Sequence, residues 1–277
     1  MERFYIITNR SKDKNNEVTM QIKGYLEEKG KTCILCQKDE EGNLIPGTVP
    51  KNIDCALVLG GDGTLIRAAR QLREYRIPLL GINLGTLGYL TEVEIQNMQT
   101  AIDQLVSEEP VIEERMMLKG VMPNGQEGIA LNDIVVARQS ALRIIHFNIY
   151  VNGELLNDYQ ADGVILSTPT GSTGYNLSAG GPIVEPKASM IVITPICSHA
   201  LNTRSIILSD EDEVVIEIAE GKNSGVEKAL ITFDGTEMTE LKTGDQVVIR
   251  KAEEQTRFLK LSKISFLEIL RRKMKGN

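Results

Sequence analysis

The sequence predicts a chain of class α/β plus mainly-β, with an α/β part first and a β-rich part after it. Three observations carry this. Up to about residue 111, apolar runs alternate with helix-period segments, the pattern of parallel βαβ units. From residue 112 onward, short period-2 segments follow one another between turns bearing glycine, asparagine and aspartate, as in a sandwich-like β domain. At 277 residues, the chain has room for two domains of roughly 100–200 residues each. The expected divisions are 1–111, 112–255 and a helical tail, 256–277, that returns to the first part.

Taken in order, residues 4–8 read as a strand and residues 17–29 as a helix, with Val18, Ile22, Tyr25 and Lys29 at helical spacing and Gly30 as its stop. Residues 32–36 form a second expected strand, and 38–51, with charge, glycine and two prolines, a loop. The unbroken apolar run Cys55-Ala56-Leu57-Val58-Leu59 leads into Gly60-Gly61-Asp62-Gly63-Thr64, and a helix is expected over 64–76 with Leu65, Ala69 and Leu72 on one face. A short strand at 78–83 is followed by a second glycine loop, Gly85-Thr86-Leu87-Gly88, and by a helix over 95–107 that Glu108-Glu109-Pro110 ends. Ligands bind beyond the carboxyl ends of parallel strands, so both glycine loops are expected on one crevice of a Rossmann-like sheet. In the second part, period-2 segments cover 115–121, 134–137, 144–151, 214–218, 230–233 and 247–251. The tail, 264–274, is helical and basic at its end.

Composition excludes several classes. A formal charge of −7 argues against broad nucleic-acid binding, which needs a basic footprint. No apolar run approaches the roughly 20 residues that span a bilayer, and the N-terminus is too short in apolar residues for a signal peptide, so a cytoplasmic chain without a membrane partner is expected. The four cysteines, Cys33, Cys36, Cys55 and Cys197, fit reduced thiols in that compartment. Cys33-x-x-Cys36 has zinc-knuckle spacing but lacks a second pair and lies in a strand-like run, so it reads as structural. Gly24 to Thr32 approximates a P-loop, one residue too long and at the end of a helix where a P-loop opens one.

The chemistry is read from three stretches. In Gly60-Gly61-Asp62-Gly63-Thr64 the glycines let backbone approach a ligand, and N–H groups at a helix start attract phosphate. Asp-Gly also serves hairpins, but here a helix follows and not a strand. The carboxylate of Asp62 among phosphate-binding amides calls for a role toward a metal ion or a substrate hydroxyl. In the second part, Ala161-Asp162-Gly163 leads to Thr168-Pro169-Thr170-Gly171-Ser172-Thr173-Gly174-Tyr175-Asn176-Leu177-Ser178, whose hydroxyls both donate and accept and so suit ribose and base edges. Asn132-Asp133 stands at a strand entry, where turn capping competes with a binding role. Thr194 to His199 reads as a proline-containing turn, with His199 structural.

Together these motifs resemble NAD kinase, which phosphorylates NAD to NADP; the resemblance spans most of the chain, from the glycine turn to at least Arg204. Diacylglycerol and sphingosine kinases carry a turn like the first motif, but not the second. The resemblance implies ATP and NAD as substrates, and Mg²⁺ or another divalent cation carried with ATP. It implies that Asp62 accepts the proton of the adenosine ribose 2′-hydroxyl, and that Gly60, Gly61, Gly63 and Thr64 contact phosphate. It places Asp62, Gly63, Arg67, Tyr89, Asn132, Asp133, Arg143, Gln160, Asp162, Thr173, Gly174, Tyr175, Asn176, Leu177, Ser178 and Thr236 at NAD. Arg67 and Arg143 match basic positions near the dinucleotide phosphates, and Tyr89 an aromatic wall beside adenine. Gln160, Gly174 and Thr236 depart from a basic residue, alanine and glutamine common among relatives, which bears on the nicotinamide end. A homodimer or homotetramer is implied, with sites completed by a neighbouring subunit. The competing readings are a lipid or sugar kinase on the same scaffold, for which no membrane-docking element is visible, and a non-catalytic dinucleotide-binding regulator, to which Asp62 would bring nothing.

Overall fold

The computed structural model describes residues 1–39, 41–45, 47–85, 88–140, 143–200, 203–221, 225–262 and 264–275, and of Glu237 the backbone only. Thr86 and Leu87 of the second glycine loop, and Glu40 and Pro46 of the expected 38–51 loop, lie outside the described residues. The chain divides into two compact units, Met1–Glu114 with Gln255–Asn277, and Arg115–Glu254.

In the first unit the strands are β1 (Arg3–Thr8), β2 (Thr32–Leu35), β3 (Cys55–Gly60), β4 (Leu79–Asn83) and the short β5 (Val93–Glu94). All pair in parallel, in the order β4-β3-β1-β2 with β5 beside β4. Helices α1 (Glu17–Glu28), α2 (Asp62–Leu72) and α3 (Met98–Ser107) complete the crossovers, and α5 (Phe266–Met274) ends the chain. β3 is buried at every position, as a parallel strand covered on both faces must be, which explains its unbroken apolar run. Phe4, Ile6, Leu57, Leu59, Leu80 and Ile82 from the sheet pack with Ile22 and Leu26 of α1 and Ile102 and Leu105 of α3 in one core. Gly30 stops α1 in the left-handed region at φ 72°, the usual glycine helix stop. α5 is capped by Ser265, whose hydroxyl accepts from the Glu268 amide.

The second unit is a sandwich of antiparallel strands. One sheet has the order β13-β12-β11-β8-β15-β16; the other runs β10-β9-β14 and on to the first part of β17. Their ranges are β8 Asp133–Arg138, β9 Ile145–Val151, β10 Glu154–Ala161, β11 Gly163–Ser167, β12 Met190–Ile196, β13 Ile206–Ser209, β14 Val214–Ile218, β15 Lys228–Phe233, β16 Thr236–Lys242 and β17 Gln246–Lys260, with β6 Val111–Val121 and β7 Glu127–Ala130 pairing beside them and the short α4 at Tyr175–Ser178. Ile134 and Val136 of β8 face the main core with Val164, Leu166, Ile231, Phe233, Phe147 and Ile249, while Val135 turns to the other face with Ile165 and Ile196. That alternation is the period-2 signal in physical form. Phe147 and Tyr159 stack at 5.3 Å between centroids.

Two local expectations need correction. The helix after the glycine turn begins at Asp62, with Gly61 as its N-cap, and ends at Leu72, followed by a 3₁₀ turn and Arg76 at φ 52°. Most of the glycine motif is therefore the first turn of α2. Residues 194–196 are strand, with Pro195 paired to Val164 of β11; the other neighbour, β13, pairs only as far as Ile193, so no ladder bond is lost at the proline's missing N–H. The Ser/Thr/Gly stretch is ordered, with a 3₁₀ turn at Thr170–Thr173 before α4, and Thr168, Thr170, Ser172 and Asn176 are buried.

Candidate active site

In the first unit the strand order changes direction between β1 and β3, so the loops that follow these two strands flank the crevice where open α/β sheets bind ligands. After β3 comes the start of α2, whose first N–H groups have no carbonyl one turn before them. After β1 come Asn9, Arg10, Ser11 and Lys12. The Asn9 amide donates to the Leu59 carbonyl at 2.8 Å, and its side chain donates to Thr64 Oγ1 at 3.0 Å. This fixes the loop against the glycine motif and holds the Thr64 hydroxyl. Lys12 Nζ lies 3.2 Å from the place a Cβ on Gly61 would take and 3.3 Å from that on Gly85, so an ammonium stands over both glycine loops. Lys38 Nζ donates to the Thr8 carbonyl at 2.8 Å. Burial pushes Lys38 below the usual lysine value, with the charges of Arg67 and Arg10 adding to that against the Cys36 thiol. Arg10, Lys12 and Lys38 carry no motif, so the sequence did not single them out; their position follows from the parallel register of β1, β2 and β3.

Asp62 is the first residue of α2, where a carboxylate meets the positive end of the helix. Its Oδ2 accepts from the Tyr89 amide at 2.6 Å, and its Oδ1 accepts from the Leu90 and Thr91 amides, each at 3.1 Å. A carboxylate offers about four acceptor positions, so one on Oδ2 remains. Gly88 makes this approach possible: a Cβ there would stand 2.0 Å from Asp62 Oδ1. Tyr89 packs under Lys273 of α5, whose Nζ lies 5.6 Å from the ring centroid.

The second unit gathers another constellation around Asn132-Asp133. Asp234, in the left-handed region at φ 50°, accepts from the amides of Leu131 at 2.8 Å, Asn132 at 2.7 Å and Asp133 at 3.1 Å. From the other side, Thr168 donates its hydroxyl to the Leu131 carbonyl at 2.6 Å and its amide to the Asn132 carbonyl at 2.8 Å. Gly171 passes so close that a Cβ would meet the Asn132 carbonyl at 2.2 Å, and Gly174 lies beside the Asn132 side chain. Asn132 Oδ1 is buried with no partner among the described residues. Asp133 is 6% exposed; burial, then the Asp234 carboxylate, raises its acid to about 7.

Thus Gly174 lies against Asn132, with Thr173 next to it in the chain. Asn176 supports the same turn: its amide donates to the Ser172 and Pro182 carbonyls, and its oxygen accepts from Thr194 Oγ1 at 2.7 Å. Tyr175, Leu177 and Ser178 project to the surface, Tyr175 at 47% exposure. Asp162 and Gln160 stand elsewhere. Asp162 pairs with Arg138 at 2.9 Å, at the opposite end of β8 from Asp133. Five residues of strand separate those ends, about 17 Å at 3.3–3.4 Å per residue. Gln160 is exposed on β10, with its carbonyl accepting from the His199 amide at 3.0 Å. Thr236 Oγ1 donates to the Phe233 carbonyl at 3.0 Å, beside Asp234, and Arg143 and Arg67 are exposed. His199 is exposed, and His146 pairs with Glu227 at 3.1 Å. Among the described residues no group of three or more His, Cys, Asp and Glu side chains gathers in metal-binding range.

A parallel sheet whose switch point carries a glycine motif, a helix start, an anchored acid and several cations defines a nucleotide-using phosphotransferase. The family model for the ATP-NAD kinase N-terminal domain matches residues 8–110, and that for the ATP-NAD kinase C-terminal domain matches residues 131–261. An NAD kinase of Lachnospira eligens is 47% identical, over 99% of this chain and 100% of that protein. Another, of Agathobacter rectalis, is also 47% identical, over 100% and 99%. Among solved structures, an NAD kinase from Archaeoglobus fulgidus in complex with ATP superposes with a TM-score of 0.80 at 26% identity, covering 99% of each chain. A yeast NADH kinase complexed with NADH shares the fold at a TM-score of 0.86 and 23% identity, covering 100% of this chain and 88% of that one. The chain belongs to the NAD kinase family.

Proposed function

We propose that this chain transfers the γ-phosphoryl of ATP to the 2′-hydroxyl of the adenosine ribose of NAD, giving NADP and ADP. The observation that carries the mechanism is the Asp62 carboxylate, fixed by three amides with one acceptor position left over. A hydroxyl proton directed at that position is oriented before transfer begins. Phosphoryl transfer is mostly positioning and electrostatic stabilisation, and few further side chains are needed. The amides at Gly61, Asp62 and Gly63 and the ammonium of Lys12 meet the donor's phosphates, and Arg67 those of the dinucleotide. Mg²⁺ enters as part of the nucleotide substrate, bound to the phosphates as is usual in such sites.

Recognition of NAD falls to the second unit. Asn132 Oδ1, a buried acceptor without a protein donor, is suited to a ribose hydroxyl or an amide of the ligand. Thr173 offers a hydroxyl and Gly174 an open approach. In the homodimer or homotetramer that this reading implies, exposed Tyr175, and Asp162 paired with Arg138 at the far end of β8, serve a dinucleotide held by another copy. A place in the cytoplasm accords with this reading, and no helix among the described residues is long and apolar enough to cross a membrane. The test is Asp62→Asn. Turnover should fall on the order of 10²–10⁴-fold, the usual worth of general-base help, while NAD binding measured by calorimetry is kept. Near-normal turnover removes Asp62 from the role.

A further inference from the structure

Asp234 has no part in the mechanism above, yet its carboxylate takes three consecutive amides, those of Leu131, Asn132 and Asp133, at 2.7–3.1 Å. Its own amide donates to the Asp133 carbonyl at 3.0 Å, so the two segments grip each other in both directions. The gripped segment is a poor one to leave unsupported. It is a strand entry, and Asn132 holds a buried oxygen without a partner among the described residues while Asp133 is almost wholly buried. Orientation there depends on backbone anchoring from both sides. Thr168 supplies one side through the carbonyls of Leu131 and Asn132. Asp234 supplies the other, from the turn that joins β15 to β16.

We propose that Asp234 is a positioning residue for dinucleotide recognition: it aims Asn132 and Asp133 at the NAD ligand by holding their amides. The proposal rests on the NAD kinase reading and adds to it a residue that touches no substrate atom. Its charge has a second effect. Asp234 is the charged group acting on Asp133, and it adds to the burial that keeps Asp133 protonated up to about pH 7. A residue that only stabilised the fold would not weaken NAD selectively over ATP.

The experiment compares wild type with Asp234→Asn and Asp234→Ala in the full chain. Asp234→Asn keeps the shape and one acceptor oxygen, so two of the three amide bonds survive even if Asp234→Ala does not fold. NAD affinity, read by calorimetry and as KM, should weaken roughly tenfold or more in Asp234→Asn, equivalent to about 1.4 kcal/mol, with KM for ATP within about twofold, a tolerance of roughly 0.4 kcal/mol. The amides of Leu131 to Asp133 should exchange hydrogen faster, and the Asp133 carboxyl, followed by carbon NMR, should titrate lower than in wild type. Unchanged NAD affinity, or an equal loss for ATP, overturns the positioning role. A wild-type chain that binds no NAD overturns the kinase reading instead, and the exchange measurement still reports whether Asp234 holds the segment.

Discussion

At the scale of single residues, the two units use one device. Asp62 and Asp234 each accept three successive backbone amides from a segment far off in the sequence. Asp62 was legible because it interrupts a glycine motif at the end of an apolar run. Asp234 was not, since Asp-Gly after a strand reads as an ordinary hairpin turn, and its partners are about a hundred positions away. The raised acid of Asp133 was equally hidden, because burial and a neighbouring carboxylate are properties of the fold. It gives a signed prediction. Unfolded, Asp133 loses its proton near the ordinary 3.8; folded, near 7. Between those values the folded chain holds the extra proton, so this group makes stability fall as pH rises through the window. Asp133→Asn copies the protonated form and removes the effect. Its melting temperature should gain on wild type as pH goes from about 4 to about 8; a difference that stays constant across that range contradicts the assignment.

At the scale of elements, the sequence reading is right where burial pattern decides and wrong where a boundary depends on tertiary contact. β3 and the period-2 strands β9 and β14 follow their apolar pattern closely. The start of α2 does not, because two glycines and an aspartate are poor helix formers by propensity, and tertiary bonds such as those from the amides of residues 89–91 hold Asp62 where the helix opens. β12 was misread because a proline demotes a strand, and nothing in the sequence shows that β13 stops pairing before it reaches Pro195. Gly88 connects element to chemistry. Gly88→Ala would place a methyl within 2.0 Å of Asp62 Oδ1, forcing the acid and the residue 89–91 loop apart although both are chemically intact. The variant should be destabilised by about 1–3 kcal/mol, as overpacked sites are, in urea unfolding. Its kcat should drop as in Asp62→Asn. A Gly88→Ala enzyme with wild-type kcat would show that the clamp does not set the geometry of the acid.

At the scale of the whole molecule, the α/β unit and the β unit divide the work by their architecture. The parallel sheet brings the loops after β1 and β3 to one switch point, which is where cations and helix-start amides are wanted for phosphates. The antiparallel sandwich leaves a buried, half-satisfied strand entry at Asn132, the acceptor proposed above for the dinucleotide. The class of each part could be read from periodicity alone. The linking of Asn132-Asp133 to Thr168–Gly174 could not, because it depends on the pairing of β8 with β11. The central claim is phosphorylation of NAD at the expense of ATP. Incubation of the chain with ATP, Mg²⁺ and NAD, followed by readout with an NADP-specific dehydrogenase, should yield NADP only when all three are present. No NADP, with NAD still raising the melting temperature, would contradict the account and make the chain a dinucleotide-binding protein without the transfer.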